Sequence, residues 1–229
     1  MRAGTTWTQS GPKIAVAGDS GCYRACFGAS VALSADAQTA LVSYPDALGV
    51  GVFARDGGTW HLDGAFHGQF LNQTLGGVTM NDAEFGEDIA LSASGDTALV
   101  MGSPSLGPSF AYIFDRVHGT WTFSRQRLGS KSEENSTADG QTVAISADGH
   151  TALITGDYIN GDYAEAAWAF TLTHGRWKPF GLRLPASNAT GSKLQVMNVA
   201  LSGNGDEALI GGNTRDGLLG SGRAWIYRR

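Results

Sequence analysis

Short apolar runs alternate along the chain with clusters of glycine, aspartate and asparagine, and the same order of runs returns four times. Val31-Ala32-Leu33, Ile89-Ala90-Leu91, Val143-Ala144-Ile145 and Val199-Ala200-Leu201 open the rounds, their first positions spaced by 58, 54 and 56 residues. A second run follows at Thr39 to Val42, Thr97 to Val100, Thr151 to Ile154 and Glu207 to Ile210. The third is aromatic: Val52-Phe53, Ile113-Phe114, Trp168 to Phe170 and Trp225 to Tyr227. The fourth is centred on Trp7, Trp60, Trp121 and Trp177. Such runs, rich in Val, Ile, Thr and aromatics and bounded by turn residues, are strand signals. No segment keeps a helical period. The pattern predicts an all-β chain, one domain over 1–229, with repeats at about 5–57, 58–119, 120–175 and 176–229.

A period in the tens of residues marks an architecture in which one supersecondary unit recurs. Strands one and two of each unit are joined by Asp36-Ala37-Gln38, Ser94-Gly95-Asp96, Asp148-Gly149-His150 and Asn204-Gly205-Asp206. Asp-Gly and Asn-Gly pairs supply the positive φ of tight hairpins. Strands one and two are almost continuously apolar, as expected of strands covered on both faces. The expected fold is a β-propeller of four blades, each of four antiparallel strands. The chain opens on a fourth-strand phrase at Trp7 and ends on a third-strand phrase at Trp225. Pairing of the N-terminal with the C-terminal strand is therefore expected to close the ring. Leu33, Leu91, Ile145 and Leu201 are expected to be buried equivalents.

Phe27-Gly28, Phe85-Gly86, the recurring core typified by Val143 to Leu153, and the closing phrase ending in Gly-Thr-Trp resemble the FG-GAP repeats of bacterial β-propellers. They are more distantly similar to the propeller of integrin α subunits. The resemblance covers about residues 5–229 and implies an extracellular recognition module. It departs from many members in lacking a D-x-D-x-D-G loop, whose oxygens cage a calcium ion. Asp19, Asp46, Asp82, Asp157, Asp162 and Asp216 are scattered instead. Calcium is not indicated, and neither a metal site nor a cofactor is predicted.

A net charge of −5 argues against nucleic acid, which calls for a clustered basic surface. No run of apolar residues is long enough for a membrane span. Met1-Arg2-Ala3-Gly4 leads straight into a strand phrase without a signal peptide, so secretion would require a leader removed from a longer product. Cys22 and Cys26 share one loop of the first repeat. Structural zinc needs four ligands; a local disulfide in an oxidising compartment is the expectation, with free thiols the alternative.

Antiparallel connectivity sorts the loops onto two faces. Turns one-to-two and three-to-four are short; loops two-to-three and four-to-one are long and variable, and such loops carry binding groups. His118, His150 and His174 fall in the short turns, and Ser34, Ser92, Ser146 and Ser202 recur in every repeat, which reads as architecture. The long-loop face offers Tyr23, Arg24, Tyr44, Asp82, Glu84, Asp157, Tyr158, Asp162, Asn213 and Arg215 as candidate ligand-binding residues. Tyrosine beside Asp, Asn and Arg suits a sugar ring or a protein partner. The expectation is a secreted recognition module for a glycan or protein, compatible with a monomer, with no catalytic residue assigned. The alternative is a lyase or glycosidase using carboxylate, Tyr and Arg groups at the channel mouth.

Overall fold

The computed structural model describes residues 6–9, 11–15, 27–44, 49–67, 84–103, 109–129, 142–158, 164–181, 184–185, 194–214 and 222–229. The described residues form strands and turns, with no helix among them. The described strands fall into four antiparallel sheets, and each of the first three takes its fourth strand from the start of the next repeat. The first sheet runs β1 (Val31–Leu33), β2 (Thr39–Tyr44), β3 (Gly49–Asp56), β4 (Thr59–His67). The second runs β5 (Glu84–Leu91), β6 (Thr97–Ser103), β7 (Phe110–Val117), β8 (Thr120–Leu128). The third has β9 (Val143–Ile145), β10 (Thr151–Tyr158), β11 (Ala164–Thr173) and β12 (Arg176–Pro179), with β13 (Leu184–Pro185) also on β11. The fourth has β14 (Leu194–Leu201), β15 (Glu207–Thr214) and β16 (Gly222–Arg228).

First strands of successive sheets touch one another, β1 to β5, β5 to β9 and β9 to β14, whereas outer strands lie farther apart, β8 and β12 meeting through the Gln126 side chain. That splay is the radial arrangement of propeller blades. The core consists of the layers between sheets. Leu41, Val50, Val52 and Phe66 of the first sheet meet Phe85, Ile89, Val100 and Phe114 of the second. Leu99, Met101, Ile113 and Leu128 of the second meet Val143, Ile154 and Phe170 of the third. Ala167 and Ile210 form the smaller core between third and fourth sheets. No core cluster of described residues joins the fourth sheet to the first.

One expectation is corrected, and a second, closure through the N-terminal strand, is not seen among the described residues. Leu33 is 56% exposed, while Leu91, Ile145 and Leu201 are only half-buried. The fully buried equivalents are one strand over, Leu41, Leu99 and Leu153. A first strand has one lateral neighbour, and the central second strand has two, so the second carries the buried leucine. Thr6 to Gln9 form no strand, and Trp7 is 93% exposed rather than paired to β16 among the described residues.

The serines at the ends of the first strands do the same work in each repeat. Ser34 Oγ accepts from the Thr39 N–H at 3.0 Å and donates to Asp36 Oδ1 at 2.6 Å. Ser146 and Ser202 likewise accept from the N–H of Thr151 and Glu207, both at 2.9 Å. Gly95, Gly149 and Gly205 in these turns have φ of +76°, +73° and +72°. Each packs on the Ser and Thr of the preceding sheet, and a Cβ on Gly205 would come within 2.6 Å of Thr151 Oγ1. Gly205→Ala is expected to cost about 1–3 kcal/mol through backbone strain and this clash, read as a lowered denaturation midpoint.

Candidate functional site

The long-loop face is defined by one end of each strand. Tyr44 closes β2, Glu84 opens β5, Asp157 and Tyr158 close β10, and Asn213 stands one residue from the end of β15. Five of the ten candidate residues are thus placed at this end of three adjoining sheets and the fourth. Tyr23, Arg24, Asp82, Asp162 and Arg215 lie outside the described residues, as do Cys22 and Cys26.

Tyr44 is held by a local fit that explains its neighbour. Its ring lies so close to Gly49 that a Cβ there would fall 2.4 Å from the ring carbon Cε2. The Phe27 ring sits 6.2 Å away, tilted 30° to it. Partial burial pushes the Tyr44 hydroxyl pKa up, so it stays protonated and able to donate at neutral pH.

The Phe-Gly pairs act as packing devices. Phe85 is fully buried between the first two sheets. Gly28 and Gly86 have φ of +90° and +92°. At Gly86 a Cβ would sit 2.8 Å from the Gly49 carbonyl oxygen, so glycine is required for the second sheet to approach the first.

Sequence reasoning missed the polar centre of this face. The residues that immediately precede the Val-Ala-Leu-type runs of the converging first strands are Ser30, Asp88, Thr142 and Asn198, each polar and each different. Asp88 joins three sheets. Its Oδ1 accepts from Ser30 Oγ of the first sheet at 2.8 Å and from its neighbour's Ile89 N–H at 2.9 Å. Its Oδ2 accepts from the Val143 N–H of the third sheet at 2.9 Å. Beside it, the Ser30 N–H donates to Ser43 Oγ at 2.9 Å and the Thr142 N–H to Thr155 Oγ1 at 3.0 Å. The signal was available: one polar residue precedes each Val-Ala-Leu-type run.

Burial raises the Asp88 pKa above the usual carboxylate value, the hydrogen bonds from Val143, Ser30 and Ile89 opposing it. The folded protein therefore binds this proton more tightly than the unfolded chain. Its contribution to stability is fully present below the ordinary carboxylate pKa of 3.8 and is lost as pH rises through the raised value. Asp88→Asn is expected to remove that acid-range decline in a pH series of denaturation midpoints.

The opposite, short-turn face carries the histidines as expected. His118 and His174 occupy left-handed turn positions, both at φ 51°, and His150 lies 3.6 Å from Asp148 within its own exposed turn. Among the described residues, no three His, Cys, Asp or Glu groups converge as metal ligands.

No protein-family model matches the chain, and no curated protein matches it. Solved structures do. The chain superposes on the Myceliophteria thermophila Cps50 (Swd1) β-propeller domain with TM-score 0.55 at 11% identity, covering 89% of this chain and 54% of that one. TolB from Acinetobacter baumannii matches at TM-score 0.49 and 15% identity, over 87% of this chain and 40% of TolB. The fold is therefore propeller-like. The chain spans about half the length of the solved structures it matches.

Proposed function

We propose that the protein is an extracellular recognition module that binds a glycan or a protein partner at its long-loop face. The propeller-like arrangement of sheets is the rigid scaffold for that face. One observation carries the reading: the two faces are built by different rules. On the short-turn face the same Ser-centred turn recurs from sheet to sheet. At the long-loop end, the strand-end residues Tyr44, Glu84, Asp157, Tyr158 and Asn213 follow no repeat. Unrepeated polar and aromatic groups on a repeated frame are what a specific binding surface needs. The FG-GAP resemblance supports the extracellular setting. An enzymatic reading cannot draw on Asp88, both of whose oxygens are occupied in tying three sheets together.

A glycan array, paired with capture of protein partners from extracellular fluid, tests the proposal. Replacing His118, His150 and His174 together is expected to leave any binding intact. Replacing Tyr44, Asp157 and Tyr158 is expected to weaken it at least tenfold. Binding that responds to the histidines and ignores the strand-end residues would refute the assignment.

A further inference from the structure

The fourth sheet is the one three-stranded sheet among the described residues, and its last strand, β16, has no partner on its outer side. In the other sheets an outer-strand residue six or seven places after the tryptophan packs across onto the following sheet. Phe66 stacks on Phe114 at 4.2 Å, Leu128 joins the core with Phe170, and Leu184 packs beside Ile210. Ile14 stands seven places after Trp7 and packs on Val42 and Phe53 of the first sheet. The N-terminal phrase is therefore placed as the outer strand of a sheet that would precede the first.

The fourth sheet has room for that strand. A cavity of about 340 Å³ lies between the third and fourth sheets, lined by Leu153, Phe180, Leu184, Tyr227 and Arg229 among others. At the corresponding places, Trp121 packs on Phe66 at 5.3 Å, and Trp177 packs on the core between second and third sheets. Trp121 is registered opposite Arg116, and the matching position, one residue past β16, is Arg229. Trp7, 93% exposed, is the indole without a sheet.

The two end faces carry the same interface uncovered. Leu41, Leu99 and Leu153 are buried because each faces a following sheet, but their equivalent Leu209 is 45% exposed. Ile226, the counterpart of buried Val52 and Ile113, is 75% exposed. At the other end Val31 is 67% exposed, whereas Ile89 and Val143 at the same place are buried. A backbone ladder stops with them. Ala35 N–H donates to the Ala93 carbonyl at 2.9 Å, Ala93 to Ala147 at 3.0 Å, and Ala147 to Gly203 at 2.8 Å. Among the described residues, Gly203 N–H and the Ala35 carbonyl have no such partner.

We propose that a second copy of this chain covers both ends: the fourth sheet of each copy packs on the first sheet of the other and receives the other's N-terminal strand, Trp7 filling the cavity. Two four-sheet arcs then close head to tail about a twofold axis, a ring in which every sheet has its fourth strand and both end faces are covered. The same chain is the poorer donor, because its residues 11–14 lie against the first sheet, whose core does not meet the fourth. Nine-tenths of the chain also superposes on about half of a β-propeller domain, the arc that a two-copy ring requires. The new joint is looser than the three inside each copy. Ala37 replaces the turn glycine, and Glu207 the threonine on which that glycine would pack.

Light scattering during gel filtration of the intact chain should give twice the chain mass, falling toward the single mass on dilution. Leu209→Asp with Ile226→Asp should weaken association at least tenfold while leaving the circular dichroism spectrum unchanged. Thr8→Cys with Arg228→Cys, in a Cys22→Ser, Cys26→Ser background, places a thiol pair across the proposed strand joint. Oxidation should yield a reducible species of twice the chain mass. A single mass at all concentrations, a cross-link confined within one chain, or no cross-link at all would each overturn the proposal.

Discussion

Leu99→Ala is expected to destabilise the protein by about 2–5 kcal/mol, the range for buried aliphatics that leave a cavity. Leu99 is fully buried on the central strand of the second sheet, in contact with the third sheet's core. Leu153→Ala should cost less within that range, because its site already borders the cavity beside the fourth sheet. The same substitution at Leu209, half-exposed in the single chain, should stay under about 1 kcal/mol when measured on the dissociated protein. Urea midpoints of the three variants give the comparison directly. Equal effects at Leu99 and Leu209 would mean that the sheets do not pack in the order described.

The second large effect is expected at Asp88. Asp88→Ala deletes the acceptor for Ser30 Oγ and the buried Val143 N–H at once. Leaving such donors unsatisfied costs about 1–3 kcal/mol each, so a loss of about 2–4 kcal/mol is expected at neutral pH. Because the carboxylate touches three sheets, the variant should also lower cooperativity, seen as a reduced denaturant slope. Asp88→Asn keeps the shape and one acceptor but turns an amide donor toward a donor already present, so it should fall between. A neutral Asp88→Ala would show that the three sheets are held without it.

The strands and turns were legible because each repeat states them again. The recurrence of Val-Ala-Leu, of Thr-Ala-Leu and of a tryptophan locates the strands, and Asp-Gly or Asn-Gly marks the hairpins. Burial was less legible, since it depends on which sheet lies across from a face. Leu33 and Leu41 are equally apolar in sequence, yet Leu41 meets the second sheet and Leu33 meets none. The loop sorting placed Tyr44, Glu84, Asp157, Tyr158 and Asn213 at one end of the sheets from connectivity alone. Asp88 escaped because its partners are 55 and 58 residues away, and a single aspartate gives no local sign of such a bond.

The division into an architectural face and a recognition face is tested most directly by amide hydrogen exchange, with and without the glycan that binds best on an array or the protein partner captured. Slowed exchange is predicted at the long-loop strand ends: 43–44, 84–88, 155–158 and 212–213. The Ser-centred turns at 35–38, 93–96, 147–150 and 203–206 should be unchanged. Protection confined to those turns would contradict the account.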